Sequence, residues 1–227
     1  MPTPSTAPLA ADAHTTPRRR VTKRRAETRE RMLNAAYEVF AEEGFGKAKL
    51  DQICERAGYT RGAFYSQFTS MDEVFLTLWA RHAQRMLDDI RAVLDAAPSA
   101  EVLDVRQTVE HALRAIPMDE KWFRIDIEFM AHAQRHPELR RIAVEQELTT
   151  TTAILPVIEA LLHRVGRTVT DREALGHALT AVHDGTAIQC MMEPDNERVR
   201  QRRTDLFTQV VLAYSAETAA DAPTTTV

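Results

Sequence analysis

Apolar residues along this 227-residue chain recur at intervals of three and four and nowhere alternate convincingly in a period of two, so the pattern predicts helices and no strands. Met32, Leu33, Ala36, Val39 and Phe40 share one face of a first helix over about 21–43, and Gly44 follows its end. A short helix over about 50–57 stops at Gly58, and Thr60 caps a third over about 61–68. Ser70 to Glu73 reads as a capping box that opens a long fourth helix, ending near Ala97 before Pro98. Its apolar stripe is Phe75, Trp79, His82, Met86, Ile90, Val93 and Ala97. Further helices are predicted over about 101–116, stopped by Pro117, then 119–135, 137–165, 171–193 and 196–217. Thr170 to Glu173 reads as another capping box, and Pro156 inside the seventh helix predicts a kink costing about 3 kcal/mol. The expected fold class is all-α, with nine helices. Residues 1–20 are expected to be a disordered, basic-ended tail, and 218–227 a second one.

Composition narrows the function classes. Hydrophobic residues make up 44% of the chain, enough for a packed core. Its seven glycines form no G-x-G-x-x-G, G-x-x-x-x-G-K-[ST] or G-x-S-x-G pattern, so common nucleotide and hydrolase signatures are absent. Cys54 and Cys190 form neither a metal-spaced pair nor a disulfide framework, which fits a reducing compartment. No apolar run approaches the ~18 residues of a membrane span, and Arg18 to Arg20 lead into more charge rather than a signal-peptide core. A cytoplasmic protein without a membrane partner is expected. The formal charge of −4 is unevenly spread: residues 1–70 carry 12 basic and 8 acidic side chains, and the remainder carry 17 and 25. A basic front end suggests that one part of the chain meets a polyanion.

The informative stretch is a short helix, the turn Ala57-Gly58-Tyr59, and another short helix. In a helix-turn-helix the tight turn needs a left-handed residue, which Gly58 supplies, and the second helix enters the major groove. Phe64 and Phe68, four apart, face inward, leaving Arg61, Ala63, Tyr65, Ser66 and Gln67 to point outward. Arg can bond guanine, Gln adenine, and an Ala methyl can touch thymine, while Tyr65 and the Thr60 cap suit phosphates. Residues Thr28 to Phe75 resemble the DNA-binding domain of the TetR family of transcriptional regulators. The matching pieces are Ala35-Ala36, Phe40, Gly44-Phe45, Ile53, Ala57-Gly58, Thr60-Arg61-Gly62, Phe64-Tyr65, Phe68 and Glu73 to Phe75.

That resemblance implies a nine-helix TetR-like architecture. A helix-turn-helix domain would occupy 21–70, and a ligand-binding and dimerisation domain 71–217 with helix 4 as connector. It further implies a homodimer that binds double-stranded operator DNA and is released, as a repressor, by a small-molecule effector. No catalytic activity, cofactor or metal is implied. Two positions depart from the family pattern: Lys49 stands where a Ser or Thr usually caps helix 2, and Met71 where a phosphate-contacting Lys is common. Lys49 can still reach a phosphate as a point charge. The arm from Arg18 to Arg31, including Arg24 and Arg25, offers a compensating grip on the backbone.

Four polar residues interrupt apolar faces: His82, Asp126, Thr151 and Thr186. With Met86, Trp122, Phe129 and Leu155 beside them, they are candidates to line the ligand cavity. Periodicity alone leaves open that each instead bonds locally within a core. On helices 8 and 9, Ala178, Ala181, Gly185 and Ile188 with Leu206 and Val210 form faces that the resemblance assigns to the dimer interface. His132 and His136, four apart, have a spacing that suits a metal on a helical enzyme, but Ala133 stands where a zinc protease needs Glu and no third ligand is near.

Overall fold

The computed structural model describes residues 17–96, 104–116 and 118–218. Among them are nine helices and two short strands: α1 (Pro17–Glu43), α2 (Leu50–Ala57), α3 (Arg61–Tyr65), α4 (Met71–Ala96), α5 (Val105–Ala115), α6 (Glu120–Ala133), α7 (Pro137–Arg164), β1 (Arg167–Val169), α8 (Arg172–Met192), α9 (Glu197–Ala213) and β2 (Ser215–Glu217). The expected tails over 1–16 and 219–227, the first turn of the fifth helix and the stops at Pro98 and Pro117 lie outside the described residues.

Helix ends follow local chemistry and correct several expectations. α1 begins at Pro17, so residues 17–20 are helical rather than tail. α3 ends at Tyr65, because the N–H groups of Gln67 and Phe68 both fold back onto the Phe64 carbonyl and tighten the last turn. At α4 only half a capping box forms. Ser70 Oγ accepts from the Glu73 N–H at 3.1 Å, but Glu73 Oε2 reaches past Ser70 to the N–H and hydroxyl of Thr69. Before α8 the cap is Asp171, one residue later than expected, accepting from Ala174 N–H at 3.0 Å. Thr170 instead donates its N–H to the Tyr214 carbonyl, beside the antiparallel pairing of β1 with β2. These two strands, three residues each, were too short to show any alternation.

The apolar interior has three parts. The largest joins α1, α2, α3 and the start of α4 to Trp122, Ile125, Phe129 and Ala133 of α6. Its centre is aromatic: Phe75 stacks on Phe129 at 3.7 Å between centroids, and Phe45 meets both edge-on. Gly44 closes α1 in the left-handed region (φ 82°), and a Cβ there would lie 2.4 Å from a Glu128 carboxylate oxygen of α6. The other two clusters lie in the C-terminal helices. One gathers Val109, Leu155, Leu162, Leu175, Phe207 and Val211, and the other Leu87, Ile90, Val157 and Leu161. Residues 70 and 71 therefore mark a change of helix but no break in the core. Val144 and Leu148 on α7 are exposed, although both are large and apolar.

Candidate nucleic-acid interface and internal cavity

α2 and α3 are held at a fixed angle by the turn between them. Gly58 sits at φ 74°, a region that costs an L-residue roughly 1–2 kcal/mol, and Tyr59 N–H closes on the Cys54 carbonyl at 2.9 Å. Thr60 Oγ1 accepts from Ala63 N–H at 3.2 Å, capping α3. Phe64 and Phe68 are both buried, with ring centroids 5.6 Å apart, and they pin α3 to the core. The opposite side of α3 faces solvent: Tyr65 is 61% exposed, Arg61 and Ser66 are exposed, and Ala63 and Gln67 are half-buried.

Several polar groups on this face already have partners. Arg61 forms a two-pronged ion pair with Asp51 of α2, its Nη2 2.6 Å from Oδ2, and this contact holds the Asp51 carboxyl below its usual range. Ser66 Oγ donates to the Ala63 carbonyl, and Gln67 Nε2 donates to Ser66 Oγ. Lys49 precedes α2 with an exposed side chain that carries no acceptor, so the cap comes from the other end: Gln52 Oε1 takes the Lys49 N–H at 2.8 Å. Met71 is half-buried against the aromatic core, which explains an apolar residue at that position.

The arm has a second task that its charge pattern did not reveal. Arg24 is exposed, but Arg25 donates to the Ser66 carbonyl at 3.1 Å. Arg29 donates to the Gln67 carbonyl at 2.8 Å and to Thr77 Oγ1, with its guanidinium 4.2 Å from the Phe68 ring centroid. These two arginines brace the end of α3 against α1 and α4.

Where the three apolar clusters meet, the helices line a partly open cavity of about 460 Å³. Of the candidate ligand residues, His82, Met86, Trp122, Asp126, Thr151 and Leu155 line it. Phe129 and Thr186 do not. Phe129 is turned into the aromatic core, stacked on Phe75, and Thr186 donates to the Val182 carbonyl while accepting from buried Arg203. Sequence reasoning missed Trp79, Glu147, His183 and Asp184, which also line the space. Glu147 stands one turn before Thr151, but a lone carboxylate on a helix ordinarily reads as solvent-facing.

Burial sets the charge states around this space. His82 stacks on Trp122 at 4.5 Å, and burial lowers its pKa to about 4. His183 is lowered to about 4 by burial and by Arg203. Asp126 is pushed up to about 7, first by burial and then by repulsion from Asp184 and Glu147. Asp119, also on the wall, behaves oppositely. Burial opposes its ionisation, but Tyr37 OH at 2.6 Å and the N–H groups of Lys121 and Trp122 outweigh it and keep the carboxyl low. Asp119 thereby ties α1 to the first turn of α6, beside a second link from Lys121 to Glu38 at 2.9 Å.

On α8, Ala181, Gly185 and Ile188 are exposed and Ala178 is half-buried; on α9, Leu206 is exposed and Val210 is half-buried against the core. His132 lies against Phe45 with Nε2 3.6 Å from Asp72, and no three metal-ligating side chains converge among the described residues. No described helix is long and apolar enough to cross a membrane.

Comparison with known proteins adds to this picture. Residues 32–78 match the bacterial regulatory proteins of the tetR family, and residues 101–214, half of the chain, match the C-terminal region of BetI-type transcriptional repressors. The transcriptional activator FasR of Mycolicibacterium smegmatis is 32% identical over 108 residues, 46% of this chain and 47% of that protein. The regulator SrpR of Pseudomonas putida is 48% identical over 54 residues, 24% and 25% of the two chains. The chain thus spans about half or less of the length of these relatives. Among solved structures, a TetR-family regulator from Mesorhizobium loti shares the fold at a TM-score of 0.63 and 20% identity, covering 84% of this chain and 96% of that one. Salmonella enterica GusR does so at 0.63 and 21%, covering 82% and 95%.

Proposed function

This chain belongs to the TetR family of helix-turn-helix transcriptional regulators, and from that premise we propose that it is a homodimeric repressor, released from its operator by a small molecule held in the helical cavity. The observation that carries the proposal is the continuity of structure between reading face and cavity. Trp122 packs in the same aromatic core as Phe64 and Phe68 and also forms part of the cavity wall.

In the proposed mechanism each dimer places two copies of α3 in successive major grooves, about 34–36 Å apart. Arg61 and Gln67 read bases, Ala63 touches a thymine methyl, and Thr60, Tyr65, Ser66, Lys49 and Arg24 meet the backbone. Arg61 must exchange Asp51 for DNA to do so; because both partners are exposed, the exchange is cheap. Arg25 acts mainly as a brace on α3. The dimer forms through Ala178, Ala181, Gly185 and Ile188 of α8 with Leu206 and Val210 of α9. Support for that face comes from its large exposed apolar side chains, Ile188, Met192, Leu206 and Leu212.

A ligand in the cavity touches α4 at Trp79, His82 and Met86, and α6 at Trp122 and Asp126. Binding that favours a tilted α4 moves the two reading helices apart, and operator affinity falls by the ligand's differential affinity for the two states. The Tyr37–Asp119 bond gives the cavity wall a second hold on α1. A gel-shift assay with the intergenic DNA beside its own gene tests the reading. A salt-sensitive shift that weakens across all sites in Tyr65→Phe, and changes base preference in Arg61→Ala, is the expected result. No shift with the wild-type chain, or unaltered preference in Arg61→Ala, defeats it.

A further inference from the structure

The cavity has a charge pattern that narrows what it can hold. Four carboxylates line it, from Asp119, Asp126, Glu147 and Asp184, and no lysine or arginine does so among the described residues. Asp119 is satisfied by Tyr37 and by the α6 N–H groups. Asp126 is not: its Oδ1 is buried and has no hydrogen-bond partner. The nearest candidates to compensate it are occupied or neutral. Arg203 donates to Thr186 Oγ1 and to the His183 carbonyl, and its guanidinium also lies against the His183 ring and the face of Phe207. His82 and His183 are kept uncharged by burial. Burying a carboxylate oxygen without a partner or counter-charge is costly, and here two further carboxylates raise that cost.

We propose that the cavity takes a monovalent organic cation, an ammonium or similar onium group on an apolar body, with Asp126 as counter-ion and Trp79 as an aromatic wall. This rests on the reading of the cavity as the effector site and names its ligand class. The cation supplies the charge that Asp126 lacks, and it lies against the Trp79 indole, an attraction that strengthens when water is excluded. The remaining lining is predominantly aliphatic, with Met86, Ile90, Leu155 and Ile158 among its side chains, and suits the apolar body. A carboxylate or phosphate ligand meets four carboxyl groups and no lysine or arginine among the described lining residues. Asp126 is ionised by such a cation rather than protonated, so binding releases a proton near neutral pH.

The test uses a built-in reporter, because both tryptophans of the chain line the cavity. Tryptophan emission is titrated with benzyltrimethylammonium, with its uncharged carbon isostere 2,2-dimethylpropylbenzene, and with 4-phenylbutanoate. The full-length wild-type chain is compared with Asp126→Asn and Glu147→Gln, each verified as folded by circular dichroism. The expected result is that the cation binds at least tenfold more tightly than the isostere. Asp126→Asn removes that gap while still binding the isostere, and Glu147→Gln narrows it. Equal affinity for cation and isostere, preference for the anion, or an unchanged gap in Asp126→Asn overturns the proposal and leaves the effector-site reading standing. No change in emission with any probe overturns the proposal as well, whereas the regulator reading stands or falls on the gel shift.

Discussion

The aromatic core around Phe75 and the cavity meet at Trp122, yet they are built on opposite principles. On one side Phe45, Phe75 and Phe129 close on each other, with His132 packed against two of the rings. On the other, the helices of two smaller clusters stand apart around about 460 Å³ lined by four carboxylates. A reading face needs a fixed geometry, and dense packing supplies one. The proposed effector site needs a deficit that a ligand can fill, here both volume and charge. Trp122 belongs to both regions, stacking on Phe75 at 5.7 Å and on His82 at 4.5 Å.

The contrast is sharpest in stability. Phe75→Ala is expected to destabilise by about 3–5 kcal/mol, because a filled aromatic core cannot collapse onto the void. Met86→Ala, on a wall that already faces empty space, is expected to cost well below that. Thermal denaturation of both variants checks the difference, and equal losses would erase the distinction between the two regions.

A second expectation concerns pH. Asp126 holds a proton up to about 7 in the folded chain, whereas an unfolded carboxyl releases it in the ordinary range. Unfolding therefore releases a proton, and stability falls as pH rises from about 4 towards about 7. His82 and His183, uncharged when folded down to about 4, act in the opposite sense below about 6.5, and Asp184, raised to about 6 by desolvation and Glu147, adds to the Asp126 effect. The difference between wild type and Asp126→Asn isolates the one group. The variant should gain relative stability as pH rises, and denaturant unfolding at a series of pH values reads it out. A pH-independent difference would mean that Asp126 is compensated in the folded chain.

Tyr37→Phe, which cuts the bond between α1 and the α6 cap, is expected to cost about 1 kcal/mol. It should also shrink the ratio of operator affinities measured with and without benzyltrimethylammonium. An unchanged ratio would assign the coupling to α4 alone. The smallest effect is expected at Asp51→Ala, which releases Arg61 on a fully exposed surface. Melting temperature should not move, while operator binding by fluorescence anisotropy should tighten as Arg61 loses its competitor.

Much of the reading face was legible in sequence because its determinants are local. Gly44 and Gly58 end helices through their own backbone freedom, Thr60 bonds three residues ahead, and Phe64 and Phe68 lie one turn apart. The cavity was only partly legible because α6 has two apolar faces, and periodicity does not say what each one meets. Phe129 and Asp126 are three residues apart on that helix and end in different environments. Thr186 was misassigned for the same reason: its partner Arg203 is 17 residues away on α9, and nothing local foretells the bond. Glu147 and Asp184 were invisible because a carboxylate on a helix reads as solvent-facing, and nothing local shows that it also borders a cavity. The cap before α8 slipped by one residue because Thr170 and Asp171 are both good caps, and the pairing of β1 with β2 decides between them.

The shared core has a practical meaning for anyone who wishes to recombine such regulators. A chimaera joined after Ser70 would carry Phe45 on one parent and Phe75 and Phe129 on the other, so the seam would run through three rings that touch. A graft that preserves the parent's fit must bring the first turns of α4 and the inward face of α6 along with the first three helices, although α6 lies some fifty residues downstream.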